Sequence, residues 1–211
     1  MKRFDLSLYL VLDPALCRPL GMVETARLAV AGGVTMVQLR DKGASPAQMI
    51  ETGRALKAAL ADSGVSLIVN DDVEAAVAIG ADGLHVGQDD MEVQTARQLI
   101  GPDMILGLSV ETEALAARVD PAMVDYVGAG PVFTTATKPG HKPPIGMDGL
   151  ARLIAATSLP AVAIGGLKVE HVATSLAAGA AGLAVVSAIC GQPDPRTAAL
   201  KLSQAIRKAR S

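Results

Sequence analysis

Tryptophan is absent from this chain of 211 residues, and phenylalanine and tyrosine occur twice each. A core cannot be assembled from large rings here. It must come from alanine, valine, leucine and isoleucine, which suits helices layered on strands. Cysteine occurs only at Cys17 and Cys190, far apart and without metal-type spacing. The pair reads as two buried thiols in a reducing cytosol.

Charge of one sign is lacking too: 19 basic residues face 21 acidic ones, a formal net charge of −2. This implies no basic surface for nucleic acid or for an anionic membrane, and any anion site must be built locally from a few cations and backbone amides. Residues Met1 to Leu12 carry Lys2, Arg3 and Asp5 and hold too short an apolar run for a signal peptide. Nowhere does an apolar stretch reach the ~20 residues of a membrane helix. A cytoplasmic, soluble protein is expected, with small-molecule partners, no nucleic acid, no membrane, and a homo-oligomer left open.

What the sequence does have is repetition. Short apolar runs recur at Leu8–Leu12, Met36–Leu39, Leu67–Val69, Gly83–Val86, Ile105–Leu108, Val124–Val127, Ala161–Ile164 and Gly182–Val186. They lack polar alternation, as strands covered on both faces do. Helical spacing follows each run: Met22–Ala31, Pro46–Asp62, Val73–Ile79, Met91–Ile100, Glu111–Val119, Met147–Ala156, Val169–Ala178 and Pro195–Lys208. Ser45 before Pro46 reads as an N-cap, and Gly32-Gly33, Gly80 and Gly101 read as stops. Eight strand–helix units over residues 1–211 predict an α/β fold of one domain, a (β/α)8 TIM barrel, over the alternative of a doubly wound open sheet. Ala31-Gly32-Gly33-Val34, Ile79-Gly80-Ala81-Asp82-Gly83 and Ala178-Gly179-Ala180-Ala181-Gly182 look like one turn reused at the stable end of that barrel.

Polar residues collect just after the apolar runs, where a barrel places its active site. Gln38-Leu39-Arg40-Asp41-Lys42 follows the second run, Asn70-Asp71-Asp72 the third, Gly87-Gln88-Asp89-Asp90 the fourth, and Ser109 the fifth. Arg40 and Lys42 lie two apart, so an extended strand end aims both the same way, one as a planar fork and one as a point charge for phosphoryl oxygens. Asp71 and Asp90 end neighbouring strands, and two carboxylates plus phosphate oxygens is how proteins hold Mg²⁺. Asn70 and Ser109 add neutral hydrogen bonds. Gly165-Gly166 and Val186-Ser187 follow the last two runs, where barrels cradle phosphate on backbone amides. Asp72 and Asp89 read as helix caps or solvated loop residues. His85, His141 and His171 are given no catalytic part, His85 being read as structural. The stretch 128–146, with Thr135, Ala136, Thr137 and Lys138, is expected to form a lid.

Together, Gln38–Lys42, Val69-Asn70-Asp71-Asp72, Gly83 through Asp90, Asp125 through Phe133 with the following Thr-x-Thr-Lys, and Ile164-Gly165-Gly166 resemble the thiamine phosphate synthase family from about Tyr9 to Ile189. The resemblance implies that hydroxymethylpyrimidine diphosphate is joined to a thiazole phosphate, giving thiamine phosphate and diphosphate. It implies that Gln38, Leu39, Arg40, Asp41, Lys42, Asn70, Ser109 and Lys138 hold the pyrimidine diphosphate, with Arg40, Lys42, Ser109 and Lys138 serving catalysis. Asp71 and Asp90 bind Mg²⁺ on this reading, and Thr135, Ala136, Thr137, Gly166, Val186 and Ser187 hold the thiazole phosphate. Thr134, Leu12 and Ala181 depart from residues common in the family (proline, threonine and an acidic residue). None of the three is a diphosphate or metal ligand. The similar thiazole tautomerase needs no diphosphate or metal site, so Arg40, Lys42, Asn70, Asp71 and Asp90 together argue against it.

Overall fold

The protein is seen in a computed structural model that describes residues 4–135, 137 and 142–211. Eight parallel strands close on themselves in chain order: β1 (Leu8–Val11), β2 (Met36–Leu39), β3 (Ser66–Asn70), β4 (Gly83–Val86), β5 (Ile105–Val110), β6 (Tyr126–Ala129), β7 (Ala161–Ile164) and β8 (Gly182–Val185). The helices between and after them are α1 (Met22–Ala31), α2 (Pro46–Leu60), α3 (Val73–Ile79), α4 (Val93–Ile100), α5 (Glu113–Ala117), α6 (Gly146–Ala155), α7 (Val172–Ala177) and α8 (Pro195–Arg210). The expected (β/α)8 barrel is therefore present, and the open sheet is excluded because β8 pairs with β1.

Local chemistry sets several of these elements. Ser45 Oγ accepts from the Gln48 amide while Gln48 Oε1 accepts from the Ser45 amide, a reciprocal cap that starts α2 at Pro46. Asp72 caps α3 by accepting from the Ala75 amide at 2.8 Å, one of the two roles expected of it. Where Val169–Ala178 was expected as one helix, a 3-10 turn at Val169–His171 precedes α7, and the His171 ring Nδ1 accepts from the Lys168 amide. Met91 and Glu111 stand before α4 and α5 rather than inside them, since Glu92 and Thr112 are the residues at which those helices start.

Strand parity divides the core into two layers. Leu8, Leu10, Val37, Leu39, Leu67, Val69, Leu84, Val86, Leu106 and Leu108 point outward and pack under the helices. Tyr9, Val11, Met36, Ile68, Ile105, Tyr126, Val162 and Ala184 point inward and fill the barrel. Each strand is thus buried on both faces, which is why its sequence shows no polar alternation.

The reused turn at the lower end has a common function. Thr35 Oγ1 accepts from the Leu8 amide, Asp82 Oδ2 from the Leu67 amide and Asp125 Oδ2 from the Leu106 amide, at 2.8–3.0 Å. In each pair the backbone bonds the other way as well, from Thr35, Asp82 and Asp125 to Leu8, Leu67 and Leu106. The fourth equivalent position is Ala181, whose amide donates to the Ala161 carbonyl but whose methyl can accept nothing back. Arg97 fastens the same end, donating to the carbonyls of Met123, Gly101 and Met104 and to Asp125.

Candidate active site

The upper ends of the strands open into a pocket bordered by β1 through β8, with Arg40, Lys42, Asn70, Asp71, Asp90 and Ser109 on one side and Thr135, Thr137, Gly165, Gly166, Val186 and Ser187 on the other. The two groups of residues expected from the strand ends therefore share one cavity. Its lower wall is the inward layer of the barrel, including Val162, Ile164 and Ala184.

Asp71 stands at the centre of the charged side. Its backbone φ is +62°, and among the described residues no other residue except glycine has positive φ. Such a conformation is tolerated by aspartate better than by most residues and persists where the surroundings impose it. Here Lys42 Nζ lies 2.9 Å from Asp71 Oδ2, and Asn70 Nδ2 donates to the same oxygen at 2.5 Å. The Asp90 side chain also lies within hydrogen-bonding reach of Asp71, and its Oδ2 accepts from the Gly87 amide at 2.8 Å. Burial, then the adjacent Asp90 carboxylate, pushes the Asp71 carboxyl above its ordinary value, against the pull of Lys42. Two carboxylates held together at such a cost form a fitting place for a hard cation. No cluster of three or more acidic, histidine or cysteine ligands exists among the described residues. The pair would therefore leave most coordination positions to substrate oxygens and water, as Mg²⁺ accepts.

Arg40 lines the pocket and makes no ion pair among the described residues. Its charge remains for an anion. On the other side, Thr135 Oγ1 and Thr137 Oγ1 lie 3.3 Å apart, and the Thr137 amide reaches Thr135 Oγ1 at 3.3 Å. Gly166, with φ +64°, has the Thr134 carbonyl and Phe133 against the place where a side chain would stand. The absence of a side chain there lets the β6–α6 segment pass close over β7, where the Phe133 amide donates to the Gly165 carbonyl.

Two sequence expectations are placed differently. Leu39 is fully buried in the outward layer and does not border the pocket, because it alternates with Gln38, which does. Asp41 is also absent from the pocket lining and accepts from the Gly43 amide in its own turn. Ala136 and Lys138, with residues 139–141 of the expected lid, lie outside the described residues.

The sequence reading also missed four residues that face the cavity: Tyr9, Asp13, His85 and Glu111. Period-2 counting gives the signal for two of them, since Asp13 follows Val11 and Glu111 follows Ser109 on the inward parity. His85, read as structural, is 8% exposed, and its ring joins Tyr126 OH and Ser109 Oγ, each at 2.9 Å. Burial pushes the Tyr9 and Tyr126 hydroxyls well above the ordinary tyrosine range.

Residues 8–189 match the family described as thiamine monophosphate synthase. The chain belongs to this family. It is 48% identical to the thiamine-phosphate synthase of Azorhizobium caulinodans over 209 residues, covering 98% of both chains. Identity to the thiamine-phosphate synthase of Xanthobacter autotrophicus is 50% over 209 residues, covering 99% of both. Among solved structures, the thiamine phosphate pyrophosphorylase of Pyrococcus furiosus superposes with a TM-score of 0.89 at 33% identity, covering 98% of each chain. The family resemblance seen in the motifs thus extends through the fold. No helix among the described residues is long and apolar enough to cross a membrane.

Proposed function

We propose that this thiamine monophosphate synthase family member joins 4-amino-2-methyl-5-hydroxymethylpyrimidine diphosphate to thiazole phosphate, releasing diphosphate and forming thiamine phosphate. The observation that carries this reading is the convergence of the Asp71–Asp90 carboxylate pair with Arg40 and Lys42 in a cavity whose far rim is Thr135, Thr137, Gly166 and Ser187. A diphosphate with a divalent cation fits the first side, and a monophosphate fits the second.

Asp71 and Asp90 would hold Mg²⁺ in this proposal, which when bound would supply charge neutralisation for the diphosphate. Arg40 spans phosphoryl oxygens with its planar fork, and Lys42 supplies a point charge beside them. As the C–O bond to diphosphate breaks, negative charge grows on the leaving oxygens, where these two cations lie ready. Lys138 of the Thr-x-Thr-Lys motif joins them by family resemblance. Gln38, Asn70 and Ser109 orient the pyrimidine, whose electron-rich ring carries the positive charge left on its methylene carbon. Val162, Ile164 and Ala184 make the wall beneath apolar and keep water from that carbon. Thr135, Thr137, Gly166, Val186 and Ser187 hold the thiazole phosphate so that its ring nitrogen forms the new C–N bond, and shared confinement supplies the proximity term.

A turnover assay with both substrates and Mg²⁺ tests this. Stoichiometric thiamine phosphate and diphosphate are expected, while thiazole isomerisation alone, or binding without products, would replace the proposal.

A further inference from the structure

Gln38, Tyr9, Tyr126, His85 and Ser109 form one hydrogen-bonded chain across the barrel interior. Gln38 Nε2 donates to Tyr9 OH at 2.7 Å, and the Tyr9 and Tyr126 hydroxyls lie 2.9 Å apart. His85 Nδ1 lies 2.9 Å from Tyr126 OH, and His85 Nε2 lies 2.9 Å from Ser109 Oγ. This row uses both tyrosines in the sequence. Gly107 makes its middle link feasible: it sits in register between His85 and Tyr126, and a Cβ there would strike the Tyr126 ring and His85 Nδ1.

Proton counting gives the chain a direction. An amide nitrogen only donates, while a tyrosine hydroxyl and a neutral imidazole each own one proton. Tyr9 accepts from Gln38, and its hydroxyl has no second acceptor among the described residues except Tyr126. Tyr9 therefore donates to Tyr126, since a buried hydroxyl proton without a partner would carry its full desolvation cost. Tyr126 in turn donates to His85 Nδ1, and His85 Nε2–H donates to Ser109 Oγ. The two ends are then fixed with opposite character. Gln38 offers its Oε1 to the pocket as an acceptor, and Ser109 keeps its hydroxyl proton to donate.

We propose that Tyr9, Tyr126 and His85 are specificity-determining positioning residues, which lock Gln38 as acceptor and Ser109 as donor and so select an aminopyrimidine over a pyrimidinone. This rests on the functional reading that Gln38 and Ser109 face the pyrimidine. An aminopyrimidine presents N–H donors on its amine and lone pairs on its ring nitrogens, which matches the locked ends. The 4-oxo counterpart presents a carbonyl acceptor and a ring N–H, the reverse. To accommodate it the amide must turn over and every proton in the row must move, because a site built to hydrogen-bond one pattern leaves its groups unpaired with the other.

Two measurements test the lock. The first is ¹⁵N NMR of the ligand-free full chain, with His85 assigned by the signals lost in His85→Gln. A neutral ring protonated at Nε2 is expected, and protonation at Nδ1 or at both nitrogens overturns the proposal. The second is kcat/KM for the 4-amino pyrimidine diphosphate against its 4-oxo counterpart in the wild type, Tyr126→Phe and Tyr9→Phe, with thermal melts to confirm folding. The wild type should favour the amino compound by at least ~100-fold, and the phenylalanine variants should lose at least ~10-fold of that preference. An unchanged ratio in a folded variant overturns the proposal. If the wild type turns over neither compound, the functional reading fails, and the His85 tautomer alone decides whether the chain is locked.

Discussion

Lys42 Nζ reaches Asp71 Oδ2 at 2.9 Å, although the two residues come from different strand ends and the Lys42 side chain is 57% exposed. An ion pair this open contributes little to stability. Its consequence is electrostatic: a mobile cation is stationed beside a carboxylate that Asp90 also crowds. In the proposed function, an anion and a metal would separate the three charges.

Removing either carboxylate should expose that dependence. Asp71→Asn and Asp90→Asn should each cut turnover on the order of 10–100-fold or more, the size of metal-shell effects. Thiazole phosphate binding, measured by calorimetry, should stay near the wild-type value. Added Mg²⁺ with diphosphate should raise the melting temperature of the wild type and leave that of both variants nearly unmoved. Wild-type rates in both variants across a magnesium titration would remove the metal from Asp71 and Asp90.

Ala181 invites a stabilising substitution. Thr35, Asp82 and Asp125 each return a side-chain hydrogen bond to the strand before, whereas Ala181 returns none. Ala181→Asp should place a carboxylate near the Ala161 amide, close to Arg210, which donates to the Ala181 carbonyl. A gain of about 1 kcal/mol is expected for one added hydrogen bond at this edge, or roughly 2–4 °C in melting temperature for a domain of this size. A calorimetric scan showing no gain would mean that this corner cannot adopt the geometry of the other three.

The two tyrosines provide a pH test. Burial raises both hydroxyls above the ordinary value of 10.0. A raised folded pKa means that the neutral form is favoured by folding. Its contribution to stability is complete below about pH 10, and is lost as pH rises past the unfolded value toward the folded one. The tyrosinate absorbance should therefore appear together with the loss of the far-ultraviolet circular dichroism, rather than before it. A tyrosinate signal that develops in the intact fold would place at least one hydroxyl in contact with solvent.

The fold was legible because each strand-and-helix unit repeats the same local grammar, and strand ends in such a barrel converge whatever the residues are. Asp71 and Asp90 needed only that rule to be brought together. Parity was harder. With both strand faces apolar, nothing in Met36-Val37-Gln38-Leu39 marks which side is inward except Gln38 itself, and Leu39 entered the expected site only as part of the motif Gln38–Lys42 carried over by family resemblance. His85 was hidden for a different reason: its partners Tyr126 and Ser109 lie on β6 and β5, joined to it only by barrel register. Cys17 and Cys190, distant in sequence, are likewise brought to 3.4 Å between sulfurs by the closure of β8 on β1.

That parity can be tested directly by comparing Leu39→Ala with Gln38→Ala. Leu39 is fully buried under α2, where the missing side chain of Gly53 lets the helix approach it closely. Truncating it should leave a cavity and cost about 3–5 kcal/mol, the range for buried leucines whose surroundings relax only in part. Because its side chain faces away from the pocket, the folded fraction should keep near-normal KM for both substrates. Gln38 is the mirror case, almost buried but turned inward, with its amide bonded to Tyr9. Gln38→Ala removes the proposed substrate contact and leaves the Tyr9 hydroxyl without the Gln38 donor, so kcat/KM for the pyrimidine should fall by on the order of 10-fold or more, about 1.4 kcal/mol for each factor of ten. Its melting temperature should fall less than that of Leu39→Ala. Denaturant melts and steady-state kinetics on the two variants measure both quantities. If Leu39→Ala raised KM while its stability held, the strand would carry the opposite parity in solution and the inward row beginning at Gln38 would have to be redrawn.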